Sequence, residues 1–387
     1  MDPVKNPYSP GAGTLPPELT GRDDIRETVR VALLRALHLR SEKSIMFIGL
    51  RGVGKTVLLL DMQKQAKREG LRTVYAEAPE TRSLPSVLVP PLKSVLLKMS
   101  DSAKIRYALS ALAGFVRAFK LEVGGITLEA LPRPGLADAG DLEHDLPVLM
   151  ETIGEAAKEE ETAVAILIDE LQYVDEKGLS ALCASLHRIS QQGLPVLIAG
   201  AGLPQLRGKL GKAKSYAERM FNFFEAGALP EQAAKDAILN PALAENITIS
   251  EAALCDIVNR AHGYPYFLQE WGRHVWNAAK HSPIVAEDVR FAEKKAVAAL
   301  DADFFMVRFD RLTPSEKNYL RAMAEAGDDN IRSANVAEIL RKPPTALGPH
   351  RAQLINKGMI YSPAHGDIAF TVPLFADFLK RTMPAVS

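Results

Sequence analysis

The segment from Gly49 to Thr56, GLRGVGKT, is the feature that most constrains what this chain can fold into. It follows the pattern G-x-x-x-x-G-K-[ST] and lies between two apolar runs. Its three glycines let the backbone turn tightly and point successive N–H groups inward, where a Cβ would obstruct a polyphosphate. The pattern therefore predicts a phosphate-binding loop.

The flanking sequence supplies the context that such a loop requires. SIMFIGL before it is typical of a buried strand, and TVLLLDMQKQAKREG after it is a helical pattern that ends at Gly70. RTVYAEA then supplies a second strand. Strand, loop, helix and strand together predict a βαβ unit.

Each position of the loop has an expected role. Lys55 reaches the β and γ phosphates, the Thr56 hydroxyl is a Mg²⁺ ligand, and the helix that starts near Gly54 directs its positive end at the same anion. A chance glycine turn in a metabolic α/β fold is the alternative. The complete motif in its expected setting favours ATP with Mg²⁺, at a site comprising Gly49, Arg51, Gly52, Val53, Gly54, Lys55, Thr56 and Val57.

A second part of the site is predicted by the run AVAILIDELQ, from Ala163 to Gln172. Six apolar residues indicate a central parallel strand that delivers Asp169 and Glu170 at its carboxyl end, where open α/β sheets bind ligands. We expect Asp169 to hold Mg²⁺ and Glu170 to polarise the attacking water as a general base. Two acids after a strand can also serve as helix-capping residues.

Composition limits the alternatives. Lysine plus arginine equals aspartate plus glutamate at 47 each, so any contact with nucleic acid must come from a local patch. The only cysteines, Cys183 and Cys255, lie in apolar helical patterns and predict no disulfide framework. The N-terminus is proline-rich and no apolar run is long enough to span a bilayer. We expect a cytoplasmic protein without membrane contact.

The remaining sequence divides into three predicted domains. GLPVLIAGAGLP and NFFEAGAL add strands, which completes a P-loop ATPase core with a proline-rich arm at residues 1–229. KLEVGGITLEAL resembles a hairpin inserted into that core, with Gly124 and Gly125 at its turn. Three helical patterns after Pro230, with Gly263 ending one helix and Pro265 opening the next, predict a helical lid at 230–311. The fold class is α/β, a three-layer sandwich around a parallel sheet.

The last 76 residues, 312–387, predict a winged helix of three helices and a two-stranded hairpin that turns at His365 to Asp367. Gly348 and Pro349 interrupt the start of its third helix. The region holds nine basic residues against seven acids, a small excess for DNA binding. Its expected contacts with double-stranded DNA come from a locally basic stretch, Arg341, Lys342, His350, Arg351 and Lys357. A protein-docking role is the alternative.

Together these motifs resemble the AAA+ ATPases of the origin-recognition and archaeal-initiator kind, and the related STAND signalling ATPases. The resemblance rests on GRDD at Gly21 to Asp24, the GLRGVGKT loop, IDELQ, AGAGLP, the Arg219 stretch and GYPYF. It implies that Gly21 and Arg22 lie beside the nucleotide base, and that Pro265 with Tyr264 closes over the adenine. It also implies that Arg219 is an arginine finger that reaches into a neighbouring subunit of a homo-oligomer.

Three points remain open in the sequence. Arg219 could instead pair with Glu218 or Glu225, and the aromatic residues of the GYPYF region could form the core of the lid. The strand before Arg219 ends in Ala199, Gly200, Ala201 and Gly202, where AAA+ ATPases usually place a polar sensor, so fast hydrolysis is not expected. We therefore expect an ATPase whose nucleotide state controls assembly on DNA. The alternative is a STAND-like switch that binds a protein partner and hydrolyses ATP slowly or not at all.

Overall fold

The computed structural model describes residues 1–11, 13–121, 131–327 and 331–385. The predicted hairpin around Gly124 and Gly125 lies outside the described residues. The chain divides into two compact units. We call Asp23–Ile48 with Lys55–Glu225 the sheet unit, and Met1–Arg22, Gly49–Gly54 and Ala226–Ser387 the helical unit. The boundary between them falls inside the GLRGVGKT motif.

The sheet unit contains the five parallel strands that the sequence predicts. Its elements are α1 (Asp23–Leu37), β1 (Ser44–Ile48), α2 (Lys55–Arg68), β2 (Arg72–Glu77), α3 (Leu84–Leu96), α4 (Ala103–Ala118), α5 (Leu142–Glu159), β3 (Val164–Asp169), α6 (Glu176–Gln192), β4 (Val196–Gly202), α7 (Gln205–Ala213), α8 (Ala217–Met220) and β5 (Phe221–Glu225).

The strand order is β2-β3-β4-β1-β5, with every pair parallel. Each residue of β1, β3 and β4 is buried, whereas the edge strands β2 and β5 consist mostly of partly or fully exposed residues. This is the burial that continuous apolar runs predict for inner strands covered on both faces. The carboxyl ends of all five strands meet at one edge, which places Glu77 opposite Asp169.

Helices cover both faces of the sheet. Val164, Ile166 and Ile168 of β3 belong to a core formed with α3, α4, α5 and α6. The alternating residues Ala165 and Leu167 are buried on the other face, because side chains along a strand point to opposite sides. There α2 packs on the strands and α1 packs on α2. The predicted three-layer sandwich is confirmed.

The helical unit begins with a 3₁₀ turn at Pro3–Lys5. Its further elements are α9 (Glu231–Ala244), α10 (Glu251–Ala261), α11 (Pro265–Ala278), α12 (Ala286–Ala299), a π-helical segment (Leu300–Met306), α13 (Val307–Phe309), α14 (Pro314–Ala326), β6 (Ile331–Arg332), α15 (Ser333–Ile339), α16 (Pro344–Asn356), β7 (Ile360–Tyr361), β8 (Asp367–Phe370) and α17 (Phe375–Thr382).

The N-terminal arm is part of the core of the helical unit. The Tyr8 hydroxyl donates to the carbonyl of Ile238 at 2.5 Å, and the Trp276 indole N–H donates to the carbonyl of Asp2 at 3.0 Å. Gly272 has no side chain where the Tyr8 ring lies, because a Cβ there would come within 2.7 Å of the ring. The arm therefore fastens α9 to α11.

The C-terminal part of the helical unit has the helix, strand, helix, helix, strand, strand order expected of a winged helix. Its antiparallel strands are ordered β6-β8-β7. Thr313 and Glu316 cap α14 reciprocally. The expected interruption at Gly348 and Pro349 is wrong, since α16 begins at Pro344 and continues through both residues. Pro344 is preorganised for a first helical position, and Pro349 removes one backbone hydrogen bond without ending the helix.

The three-domain division at 229 and 311 stays a prediction, and both of these boundaries lie inside the Ala226–Ser387 segment of the helical unit. Across the described ranges, every helix is too short or too polar to cross a membrane.

Two helical glycines provide a matched test of the packing in the sheet unit. A Cβ on Gly114 of α4 would lie 2.5 Å from the backbone oxygen of Leu136, whereas nothing lies within 4 Å of one on Gly208 of α7. We expect Gly114→Ala to reduce the free energy of unfolding by about 1–3 kcal/mol. Gly208→Ala should raise it by up to about 1 kcal/mol, through helix propensity alone. Urea denaturation measures both, and equal effects would contradict the packing of the Leu136 segment on α4.

Candidate functional site

Two of the predicted metal ligands meet at the carboxyl edge of the sheet. The Thr56 hydroxyl, in the first turn of α2, donates to Asp169 Oδ2 at 2.6 Å. Asp169 is 3% exposed, and the Tyr75 hydroxyl approaches the same Oδ2 at 3.3 Å. Hydroxyl and carboxylate oxygens are the ligands that Mg²⁺ prefers. The residues present therefore fit a magnesium site at this edge.

The buried position of Asp169 affects the pKa of its carboxyl. Burial raises the pKa of its carboxyl, and the hydrogen bond from Thr56 and the charge of Lys55 offset part of that rise. Burial also raises the pKa of Glu77, and the charges of Asp169 and Glu170 add to this effect. Glu77 was not among the predicted site residues, although its place at the end of β2 is the same signal that identified Asp169.

Glu170 lies in a sharp turn that brings its main chain back to Asp169. Its φ of 54° and ψ of 35° are left-handed, and its N–H donates to Asp169 Oδ1 at 2.8 Å. The carboxylate accepts a hydrogen bond from the side-chain amide of Gln172. A non-glycine residue in this conformation is uncommon and often marks a functional site.

The backbone of the predicted phosphate-binding loop requires glycine for two reasons. Gly52 and Gly54 have φ values of 78° and 89°, which only glycine adopts readily. Gly49 is required by close approach, because a Cβ there would lie 2.0 Å from the backbone oxygen of Ala226. Lys55 and Thr56 follow as the first residues of α2, as predicted.

The loop is hydrogen-bonded to other parts of the helical unit. The backbone N–H of Arg51 donates to the carbonyl of Thr371 at 2.9 Å, just after β8. The N–H of Tyr266 donates to the carbonyl of Gly52 at 3.1 Å. The rings of Tyr266 and Phe304 stack with centroids 4.7 Å apart, and a Cβ on Gly52 would come within 3.3 Å of each residue. The contact with Thr371 was not predicted.

The residues expected beside the base pack in the helical unit. Gly21 has a φ of 67° and lies against Ala233, and the Arg22 guanidinium donates to the carbonyl of Gly227 at 2.5 Å. Burial lowers the pKa of Arg22. Pro265 opens α11, as predicted. Of the aromatic residues, Phe267, Trp271 and Trp276 are buried in the core of the helical unit.

Arg219 is an exposed residue of α8. Glu225, one of its predicted partners, pairs with Arg207 at 3.4 Å instead. Within the described ranges Arg219 has no ion pair. Its guanidinium is accessible to another molecule, as an arginine finger would be, and that role stays a prediction.

The five residues expected to contact DNA differ in how available they are. Arg341 and Lys342 are exposed between α15 and α16. Arg351 is half-buried and donates to the Ser333 hydroxyl at 3.3 Å. His350 is also half-buried, with its Nδ1 buried. Lys357 pairs with the buried carboxylate of Glu316 at 2.8 Å. The exposed basic charge is therefore concentrated at Arg341 and Lys342.

Two family models match parts of this chain. Residues 18–199 match the family model of the AAA ATPase domain. Residues 302–379 match a second model, described as a domain of unknown function (DUF8462). The predicted resemblance to AAA+ P-loop ATPases is thus confirmed.

Individual proteins similar to this chain share a quarter or less of its sequence. An uncharacterized HTH-type transcriptional regulator of Methanocaldococcus jannaschii is 24% identical over 346 residues, which are 86% of this chain and 81% of that protein. The Walker-type ATPase of Pyrococcus abyssi is similar in structure, with a TM-score of 0.58 and 18% identity over 95% of this chain and 99% of that one. The ORC1 protein of Aeropyrum pernix, solved in complex with DNA, gives a TM-score of 0.47 and 15% identity over 95% and 94% of the two chains.

The burial of Asp169 should lower the stability of the folded protein at neutral pH, whereas metal binding requires the ionised carboxylate. Because burial raises the pKa of Asp169 in the folded state, the folded protein loses stability as the pH rises from the ordinary aspartate pKa to the raised one. Above that window the loss is complete. We expect Asp169→Asn to raise the urea midpoint at pH 7 and to abolish the Mg²⁺-dependent part of ATP affinity, with Asp303→Asn on the surface as control. The urea midpoints of wild type and Asp169→Asn should converge below the ordinary aspartate pKa. A midpoint for Asp169→Asn below that of wild type at pH 7 would contradict this interpretation.

Proposed function

We propose that this protein is an ATP-binding regulatory switch of the AAA+ type, which hydrolyses ATP slowly and signals through its winged helix. Of the two functions that the sequence left open, this is the STAND-like one. One observation carries the proposal. The backbone N–H of Arg51, in the phosphate-binding loop, donates a hydrogen bond to the carbonyl of Thr371 in the winged-helix region.

The proposed signal follows from competition for the loop. A phosphate-binding loop holds anions through its backbone N–H groups. A phosphate oxygen and the Thr371 carbonyl would compete for the same segment, so ATP binding and release of Thr371 would be linked. Such linkage is reciprocal, and typical coupling factors are about 5- to 150-fold.

The proposed chemistry uses residues at the carboxyl edge of the sheet. Lys55 would meet the β and γ phosphates, and Thr56 with Asp169 would hold Mg²⁺, which when bound neutralises charge on the phosphate oxygens. Glu170 would accept the proton of the attacking water. We propose slow turnover because β4 ends without a polar side chain of its own.

A reversible cross-link tests the competition. The Arg51 guanidinium and the Thr371 hydroxyl both approach the carbonyl of Gly358, so the two side chains lie on the same side of their shared hydrogen bond. In a Cys255→Ser background, we expect Arg51→Cys/Thr371→Cys to form a disulfide that holds the loop against the winged helix. Oxidation should weaken ATP binding about tenfold or more, and reduction should restore it.

The reduced form of the same protein is the matched control, and Arg51→Cys alone reports any effect of oxidant. ATP affinity is measured by titration with a fluorescent ATP analogue. Equal affinities in a fully cross-linked and a reduced sample would show that Thr371 and ATP do not compete.

A second candidate output is DNA binding, which the name of the Methanocaldococcus jannaschii relative favours. In this proposal Arg341 and Lys342 contact phosphates, and the accessible Arg219 completes the ATP site of a neighbouring copy. The exposed residues of α16 are uncharged, among them Thr345, Ala352 and Gln353, which limits the expected electrostatic contribution.

Salt dependence tests this output. Arg341→Ala/Lys342→Ala should weaken binding to any duplex and flatten the dependence of log affinity on log salt by up to about two units of slope. Lys294→Ala/Lys295→Ala, which removes the same charge from the exposed face of α12, is the matched control. Duplex affinity is measured with ATP present. Identical slopes for all three proteins, or no duplex binding by wild type, would leave a protein partner as the output.

A further inference from the structure

Gln172 is a buried amide in the turn that follows β3. The residue lies in the 3₁₀ turn Leu171–Tyr173 and is 3% exposed. The Oε1 atom accepts a hydrogen bond from the N–H of Leu203 at 3.0 Å, and the amide nitrogen donates to the Glu170 carboxylate. Since the Leu203 N–H can only donate, it fixes which end of the amide faces Glu170.

The main chain of Gln172 is held as well. The Lys209 ammonium, on α7, donates to the carbonyl of Gln172 at 2.7 Å. Burial lowers the pKa of Lys209. Gln172 thus has partners on the turn, at the end of β4 and on α7.

The small residues at the end of β4 make room for this turn. A Cβ on Gly202 would lie 2.9 Å from Gln172 Oε1 and 2.6 Å from Leu206 Cδ2. A Cβ on Gly200 would lie 2.2 Å from Leu171 Cδ1. The strand end that carries no polar side chain of its own is therefore the strand end that Gln172 reaches.

We infer that Gln172 is a positioning residue for ATP hydrolysis, and that it supplies from the turn after β3 the polar group that the end of β4 lacks. It fixes the Glu170 carboxylate relative to the end of β4, so that the carboxylate meets the attacking water in one orientation. This inference rests on the proposed ATPase function. Misplacing a reacting group by about 1 Å can cost about 100-fold in rate, so the hydrogen bond has a measurable role.

A purely structural role for Gln172 would be to satisfy the buried N–H of Leu203. Gln172→Glu separates the two roles, because a carboxylate still accepts from Leu203 but has no N–H to donate to Glu170. Gln172→Leu removes both hydrogen bonds at similar volume. If the role is structural, kcat should fall only as far as the folded fraction falls, so the urea midpoint is measured for both variants.

The experiment measures kcat and KM for ATP, with ATP affinity titrated separately for every variant. We expect Gln172→Glu and Gln172→Leu each to lower kcat at least about tenfold, with ATP affinity within about twofold of wild type. In a Glu170→Gln background, Gln172→Glu should cause no further loss, because the two residues act as a unit. Gln191→Glu, an exposed site on α6, is the control for added charge.

Three outcomes would overturn the inference while leaving ATP binding intact. They are a wild-type kcat for Gln172→Glu, additive losses in the double variant, and wild-type turnover no faster than that of Glu170→Gln. Failure of the wild-type protein to bind ATP would instead overturn the proposed function itself. Lys55→Ala provides the non-binding reference for that titration.

Discussion

The hydrogen bond between the Arg51 N–H and the Thr371 carbonyl is the interaction on which this account depends. A loop that presents backbone N–H groups to an anion carries donors that must find acceptors, because an unpaired buried N–H is costly. In this fold one acceptor comes from the winged-helix region of the same chain, at 2.9 Å. The loop that would bind phosphate is thus also hydrogen-bonded to the C-terminal region that the sequence predicts to be a winged helix.

The chemistry at the sheet edge follows from strand order. Because β2 and β3 are parallel neighbours, their carboxyl ends bring Glu77 opposite Asp169. Burial then raises the pKa of both acids, and the Thr56 hydroxyl stabilises the ionised form of Asp169. A buried acid with a raised pKa costs stability at neutral pH, a cost that suits a residue retained for ligand binding.

The sequence predicts the fold and the glycine-rich turn before α2 well because both depend on local pattern. Continuous apolar runs identify β1, β3 and β4, and the glycine spacing identifies the loop. It fails where a contact joins distant segments: nothing near Arg51 indicates Thr371, and nothing near Gln172 indicates Leu203. It also fails where orientation decides a role. Lys357 contributes to the basic stretch in the sequence, yet in the fold its ammonium pairs with the buried Glu316.

Hydrogen exchange of the wild-type protein, measured with and without Mg²⁺ and ATP, tests whether ATP and the Thr371 carbonyl compete for the loop. The N–H of Thr371 donates to the carbonyl of Met359 at 3.0 Å, so exchange in peptides covering 359–372 reports how firmly this segment is held. We expect faster exchange there when ATP is bound, and unchanged exchange in α5. We also expect no change for Lys55→Ala under the same conditions. Exchange over 359–372 that is unchanged or slower at saturating ATP would contradict competition between the nucleotide and the winged helix.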